Sequence, residues 1–156
     1  MTSLAFRDIG EPDFSHVTVI VRPPGTTADP RVWARAIFDV RRGSPWVVAL
    51  LALRQVLVGL VGIRRAPRDV FAVAEVDGAE ALVAADDTHL DFRVGIRIGA
   101  RDVRATTTVR LHSWRGRLYL MPVRLVHGVV LRSMMRRAAR RLHGAAGAST
   151  CPWCDD

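Results

Sequence analysis

His127 is the residue on which chemistry is most easily built. It shares a helical stripe with Val123, Val126, Val130, Met134 and Ala138, so a helix there turns it toward whatever that stripe covers. An imidazole in that place suits proton transfer or a hydrogen bond to a ligand. A structural bond to a strand group such as Thr107 serves it equally well. Thr107 is the polar member of an otherwise apolar strand face, and threonine is also a common strand filler. A second cluster, His89, Asp91 and Arg93, lies in the run HLDFR. Strand alternation puts all three on the polar face, toward Thr106, Thr108 and Arg110. Cross-strand pairing, worth about a few tenths of a kcal/mol per pair, accounts for them without catalysis.

Cys151-Pro-Trp-Cys154 spells a dithiol of the thioredoxin kind. Such a motif is activated at a helix N-terminus after a strand, whereas here it follows the run GAAGAST. A zinc ion would need two more ligands than this pair offers, so only a metal shared between two protomers would fit. No metal site and no cofactor site is assigned within the chain.

The charge is carried by arginine alone. The chain has 156 residues, 23 basic ones and a net charge of +8, with no lysine. Residues 1–92 hold 10 arginines against 12 acids, whereas 93–154 hold 13 against the single Asp102. Arg132, Arg136 and Arg140 share the helix face opposite the apolar stripe and are the expected anion-binding set. One reading is a footprint for the phosphates of nucleic acid or of an anionic membrane. The other is a coding bias that made every surface cation an arginine, and no nucleic-acid motif accompanies the charge.

The elements that position these residues follow from periodicity. FSHVTVIVR, residues 14–22, reads as a first strand ended by Pro23-Pro24-Gly25. Asp29 and Pro30 supply a helix cap and a first-turn proline, with Trp33, Ala36, Ile37 and Val40 as the apolar stripe. Gly43, then Ser44-Pro45, ends that helix and opens another. Its segment Trp46–Ile63 is 18 residues with Arg54 and Gln55 at the centre. A membrane span needs about 20 residues, and a central arginine costs roughly 2.5–3.5 kcal/mol. A buried helix is therefore expected rather than a transmembrane one. With no secretory signal in the first residues and no disulfide framework, a cytoplasmic location is expected.

From Val70 the period becomes two. VFAVAEV and AEALVA flank Asp77-Gly78 as a hairpin. HLDFRVGIRI and DVRATTTVRLH form a second hairpin, and a two-residue turn at Gly99-Ala100 would set Phe92 against Thr107 and Arg97 against Asp102. A further turn at Arg115-Gly116 returns the chain as a sixth strand, RLYL, with Leu118 and Leu120 inward. Pro122 then opens a long helix to about His143, closed by Gly144. The expected fold is α+β. A curved antiparallel sheet of about six strands wraps a long C-terminal helix, with two short helices after the first strand. Residues 1–143 form one domain and 144–156 a flexible tail.

The segments DDTHLDFRVGIRI and TTTVRLHSWRGRLYL, the helix with His127 and LRSMMRRA, and Pro45–Gly59 together resemble an uncharacterised bacterial domain-of-unknown-function family. The resemblance covers roughly residues 12–140. That family is similar to the helix-grip superfamily of polyketide cyclases, START lipid-transfer domains and the birch-pollen allergen. The likeness implies a hydrophobic ligand held between sheet and last helix. The family's usual Pro-Phe-His is Leu125-Val126-His127 here, so the histidine is kept while its neighbours change.

The expected function is therefore a binding module for a small apolar molecule. Phe92, Val94, Val103, Ala105, Thr107 and Val109 would line the sheet side of its cavity. Leu118, Val126, His127, Val130 and Met134 would complete it. Two alternatives stand beside this. One is a cyclase- or hydratase-like enzyme using His127 as general acid or base. The other is arginine-driven contact with anionic lipid or nucleic acid through the last helix.

Overall fold

The computed structural model describes residues 2–39, 72–86 and 90–148. It is an α+β structure with an open five-stranded antiparallel sheet, ordered β1-β5-β4-β3-β2. The strands are β1 (Phe14–Val21), β2 (Val73–Asp77), β3 (Glu80–Asp86), β4 (Leu90–Ile98) and β5 (Asp102–Leu111). Helix α1 spans Pro30–Phe38 and α2 spans Trp114–Ala148. Asp29 caps α1 by accepting from Arg31 N at 2.7 Å, with Pro30 in the first turn. The expected helix after Ser44, Val40, His89 and both cysteines lie outside the described residues.

The β2–β3 hairpin forms as expected, with its turn one residue later: Asp77 faces Glu80 and Gly78 takes the left-handed conformation at φ 55°. The β4–β5 register differs from expectation by two residues. Ile98 faces Val103, and Phe92 faces Val109 rather than Thr107. The chain needs a four-residue turn there, tied by Gly99 N to Asp102 O at 2.8 Å. Arg97 consequently stands opposite Arg104, not Asp102. Because the slip is even, every side chain keeps its expected face.

The sixth strand is not formed. Ser113 is a helix cap: its hydroxyl accepts from Gly116 N at 3.3 Å and its carbonyl from Arg117 N at 3.2 Å. RLYL therefore lies in α2, which begins eight residues before Pro122 and runs past Gly144 to Ala148. Pro122 cannot donate to the carbonyl of Leu118. Both residues are exposed, so water can take that bond's place.

The core lies between the inner sheet face, α1 and the C-terminal half of α2. It contains Ile20, Trp33, Ile37, Val83, Val94, Ile96, Val103, Leu131 and Met135. Arg141 holds Asp39 at 3.1 Å and so ties α2 to the end of α1. The outer sheet face is covered in part by the N-terminal segment. Leu4, Ala5 and Ile9 are buried, Leu4 N donates to Glu80 at 3.0 Å, and Thr108 donates to the Ala5 carbonyl.

Candidate functional site

The inner face of β1 carries Phe14, His16, Thr18 and Ile20, and that of β5 carries Val103, Ala105, Thr107 and Val109. Across the strand pair His16 stands opposite Thr107, and Thr18 opposite Ala105. Thr18 and Thr107 are therefore diagonal neighbours under α2. His127 descends onto this patch from the helix. Its ring meets Phe14 edge-on at 5.7 Å and His16 edge-on at 5.6 Å, while Phe14 and His16 stack at 6.3 Å.

Three atoms in this layer are buried and lack a hydrogen-bond partner among the described residues: Thr18 Oγ1, Thr107 Oγ1 and His127 Nδ1. The structural bond between His127 and Thr107 is thus not made. A buried polar atom without a partner costs about 1–3 kcal/mol, so the patch is polar at a cost to the fold. Burial, with the nearby His16 adding to it, pushes the His127 imidazole down to about 4. At neutral pH the ring is therefore uncharged. It has no extra proton to give and is a weak base, which disfavours general acid–base work and suits hydrogen bonding.

Beside the patch, between β1 and α2, runs a groove of about 680 Å³. Its lining includes His16, Arg124, Arg132, Ser133, Arg136 and Arg140, with Leu125, Gly128 and Val129 as its apolar part. Among the described residues no carboxylate lines it. Gly128 lets the strand approach: a Cβ there would stand 2.9 Å from His16 Nε2. His16 is the wall shared by groove and inner patch. A volume of this size is in the range of small-molecule sites, about 300–1,000 Å³.

The expected lining residues are distributed unevenly. Val94, Val103 and Ala105 are packed in the core, and Phe92 and Met134 lie against it. Thr107 and Val109 are buried under α2, and His127 and Val130 are half-buried. Leu118 and Val126 are exposed on α2 and line no interior space. The buried side of α2 runs through Leu120, Leu131, Met135 and Ala138, a stripe turned from the expected one because the helix also packs on α1. Arg132, Arg136 and Arg140 are brought together in the groove, where Arg124 joins them. Asp91 and Arg93 lie on the outer face as alternation requires. Asp91 pairs with His112 at 2.7 Å, and Arg93 with Asp86.

His16 was the residue that sequence reasoning missed. Alternation in FSHVTVIV offers one face with Phe14, His16, Thr18 and Ile20 and another with Ser15, Val17, Val19 and Val21. Hydrophobicity favours the second, yet the valines point outward. Parity with Phe14 and Ile20 was the available signal.

Among the described residues no group of three or more His, Cys, Asp or Glu side chains is arranged to hold a metal ion. No described helix is long and apolar enough to cross a membrane. No curated protein and no solved structure matches the chain. Residues 9–134 match a family described as a protein of unknown function, DUF2867. That match takes in β1, the sheet and α2 as far as Met134, including His16, Thr18, Thr107 and His127, and so this chain belongs to the DUF2867 family.

Proposed function

We propose that this protein is a binding module for a small amphipathic anion, with the acid group on the groove arginines and the apolar part toward Leu125, Val129 and the Phe14–His127 patch. The observation that carries the reading is the gathering of four arginines and His16 in one groove with no carboxylate among its described lining residues. Guanidinium groups match phosphate and carboxylate oxygens in pairs. The partnerless Thr18, Thr107 and His127 atoms next door offer hydrogen bonds to a polar group carried deeper. The purely apolar ligand expected from the sequence is thereby modified to one with an acidic head.

A sheet closing on a long C-terminal helix supports placing the family near the START-like and polyketide-cyclase-like helix-grip proteins, with a bacterial source and a cytoplasmic setting as parts of the same proposal. Titration calorimetry with decyl phosphate, decanoate and decanol, each below its micelle concentration, tests the ligand. Decyl phosphate should bind at least tenfold more tightly than decanol. Arg132→Gln with Arg136→Gln should remove that preference while leaving the melting temperature in place. Equal affinity for the phosphate and the alcohol would refute the reading.

A further inference from the structure

The N-terminal half of α2 carries a row of exposed apolar side chains at helical spacing: Leu118, Met121, Leu125 and Val129, exposed to 51%, 56%, 78% and 66%. Trp114 heads the row. Steps of three and four residues keep these on one side. At about 100° per residue the row lies ~140° around the helix from Leu120 and Leu131, which face the core. At about 1.5 Å per residue the four side chains span ~17 Å. The same side continues, again in steps of three and four, through Arg132, Arg136 and Arg140. Arg117 and Arg124 flank the row, and α2 contains no acidic residue at all.

We propose that this half of α2 docks on an anionic lipid surface. The apolar row enters the boundary between headgroups and acyl chains, and Arg117, Arg124 and Arg132 meet lipid phosphates. An apolar row bordered by cations and free of acids is what an interfacial helix requires. Charge decides against the other occupants. A second copy of α2 would bring arginines against arginines with no acid to pair them. A nucleic acid would use the arginines and leave the apolar row in water. The surface shares Arg124, Leu125, Val129 and Arg132 with the ligand groove, whereas Leu118 and Met121 line no part of it, so substitutions at these two address the lipid surface alone.

The test is co-sedimentation of the full chain with sucrose-loaded vesicles. Phosphatidylcholine containing about 30% phosphatidylglycerol is compared with pure phosphatidylcholine at low and high KCl. Binding should be at least tenfold stronger to the anionic vesicles and should weaken with salt. Leu118→Asp with Met121→Asp should lower it at least tenfold while leaving the melting temperature and decyl phosphate affinity unchanged. That result would stand whether or not the groove binds decyl phosphate.

The proposal is overturned if anionic vesicles fail to retain the protein at low salt, or if the double variant is retained like the wild type. It is overturned equally by a sharp drop in the variant's melting temperature, which would mean that protein covers the row. A wild-type dimer that the variant dissociates would assign the row to self-association. Tighter retention on a short RNA than on anionic vesicles, unaffected by the variant, would assign the arginines to nucleic acid.

Discussion

Acidification probes the buried histidine directly. His127 titrates at about 4 in the folded protein, lowered first by burial and then by His16, against about 6.5 in the unfolded chain. Between these values the unfolded chain takes a proton that the folded one refuses, so falling pH favours unfolding. The contribution is whole above about pH 6.5 and is lost as the pH drops toward 4. Linkage with these two values gives a loss, relative to pH 8, of about 0.8 kcal/mol at pH 6 and about 2 kcal/mol at pH 5. Solvent reaching one side of the ring screens it, so ~1–2 kcal/mol is expected at pH 5.

Urea unfolding followed by circular dichroism from pH 8 to 4.5 measures this. With a slope of about 2 kcal/mol per molar urea, the midpoint should fall by ~0.5–1 M. Carboxylates titrate in the lower part of that range, so the comparison is with His127→Phe at each pH. The stability of wild type relative to this variant should fall by that same ~1–2 kcal/mol between pH 8 and pH 5. A wild-type-minus-variant difference that stays constant across the range would refute the buried, neutral placement of the ring.

Two further substitutions separate the structural claims. Leu131→Ala, at a buried position of α2, should cost about 2–5 kcal/mol in chemical denaturation. Leu118→Ala, on the exposed row, should change stability by less than about 0.5 kcal/mol. Equal effects would mean that α2 is rotated about its axis. Gly95→Ala places a Cβ into Glu80 Oε1 and Ser3 Oγ. It should loosen the N-terminal segment from the outer face and cost about 2–4 kcal/mol, with the amides of residues 3–9 exchanging faster. An unchanged exchange pattern there would show that Glu80 is not what holds this segment.

The alternation in HLDFRVGIRI and DVRATTTVRL was enough to assign the faces of β4 and β5, because face assignment needs only parity. Register needed the turn length, and Gly99-Ala100 looked complete as a two-residue turn until the Gly99–Asp102 bond extended it. Arg115-Gly116 carried a turn signal stronger than the helix signal around it. What decided the outcome was a local hydroxyl, Ser113, that stabilises the first helical turn. His127 was legible because its stripe has a clear period. His16 was not, since an edge strand with valines outward inverts the usual hydrophobic preference. The arginines of the groove were legible as a helix face, whereas their closeness to β1 depends on a packing that only the tertiary structure defines.

The position of β1 also determines when and how firmly the candidate site exists. Among the described residues its one partner strand is β5, and the paired residues, from Val21–Asp102 to Phe14–Val109, lie 81 to 95 positions apart in the sequence. The β2-to-β5 meander, by contrast, is built from neighbouring hairpins. Pairings between distant segments close late in folding because their loop entropy must be met first. Phe14, His16 and Thr18 therefore join Thr107 and His127 only in the last assembly step, and earlier species have a sheet but no groove. In the native state β1, at an edge of the sheet, can open from β5 without disturbing the β2-to-β5 meander. Amide exchange along β1, at Val17 and Val19 among others, should then report on the groove's integrity separately from that of the meander.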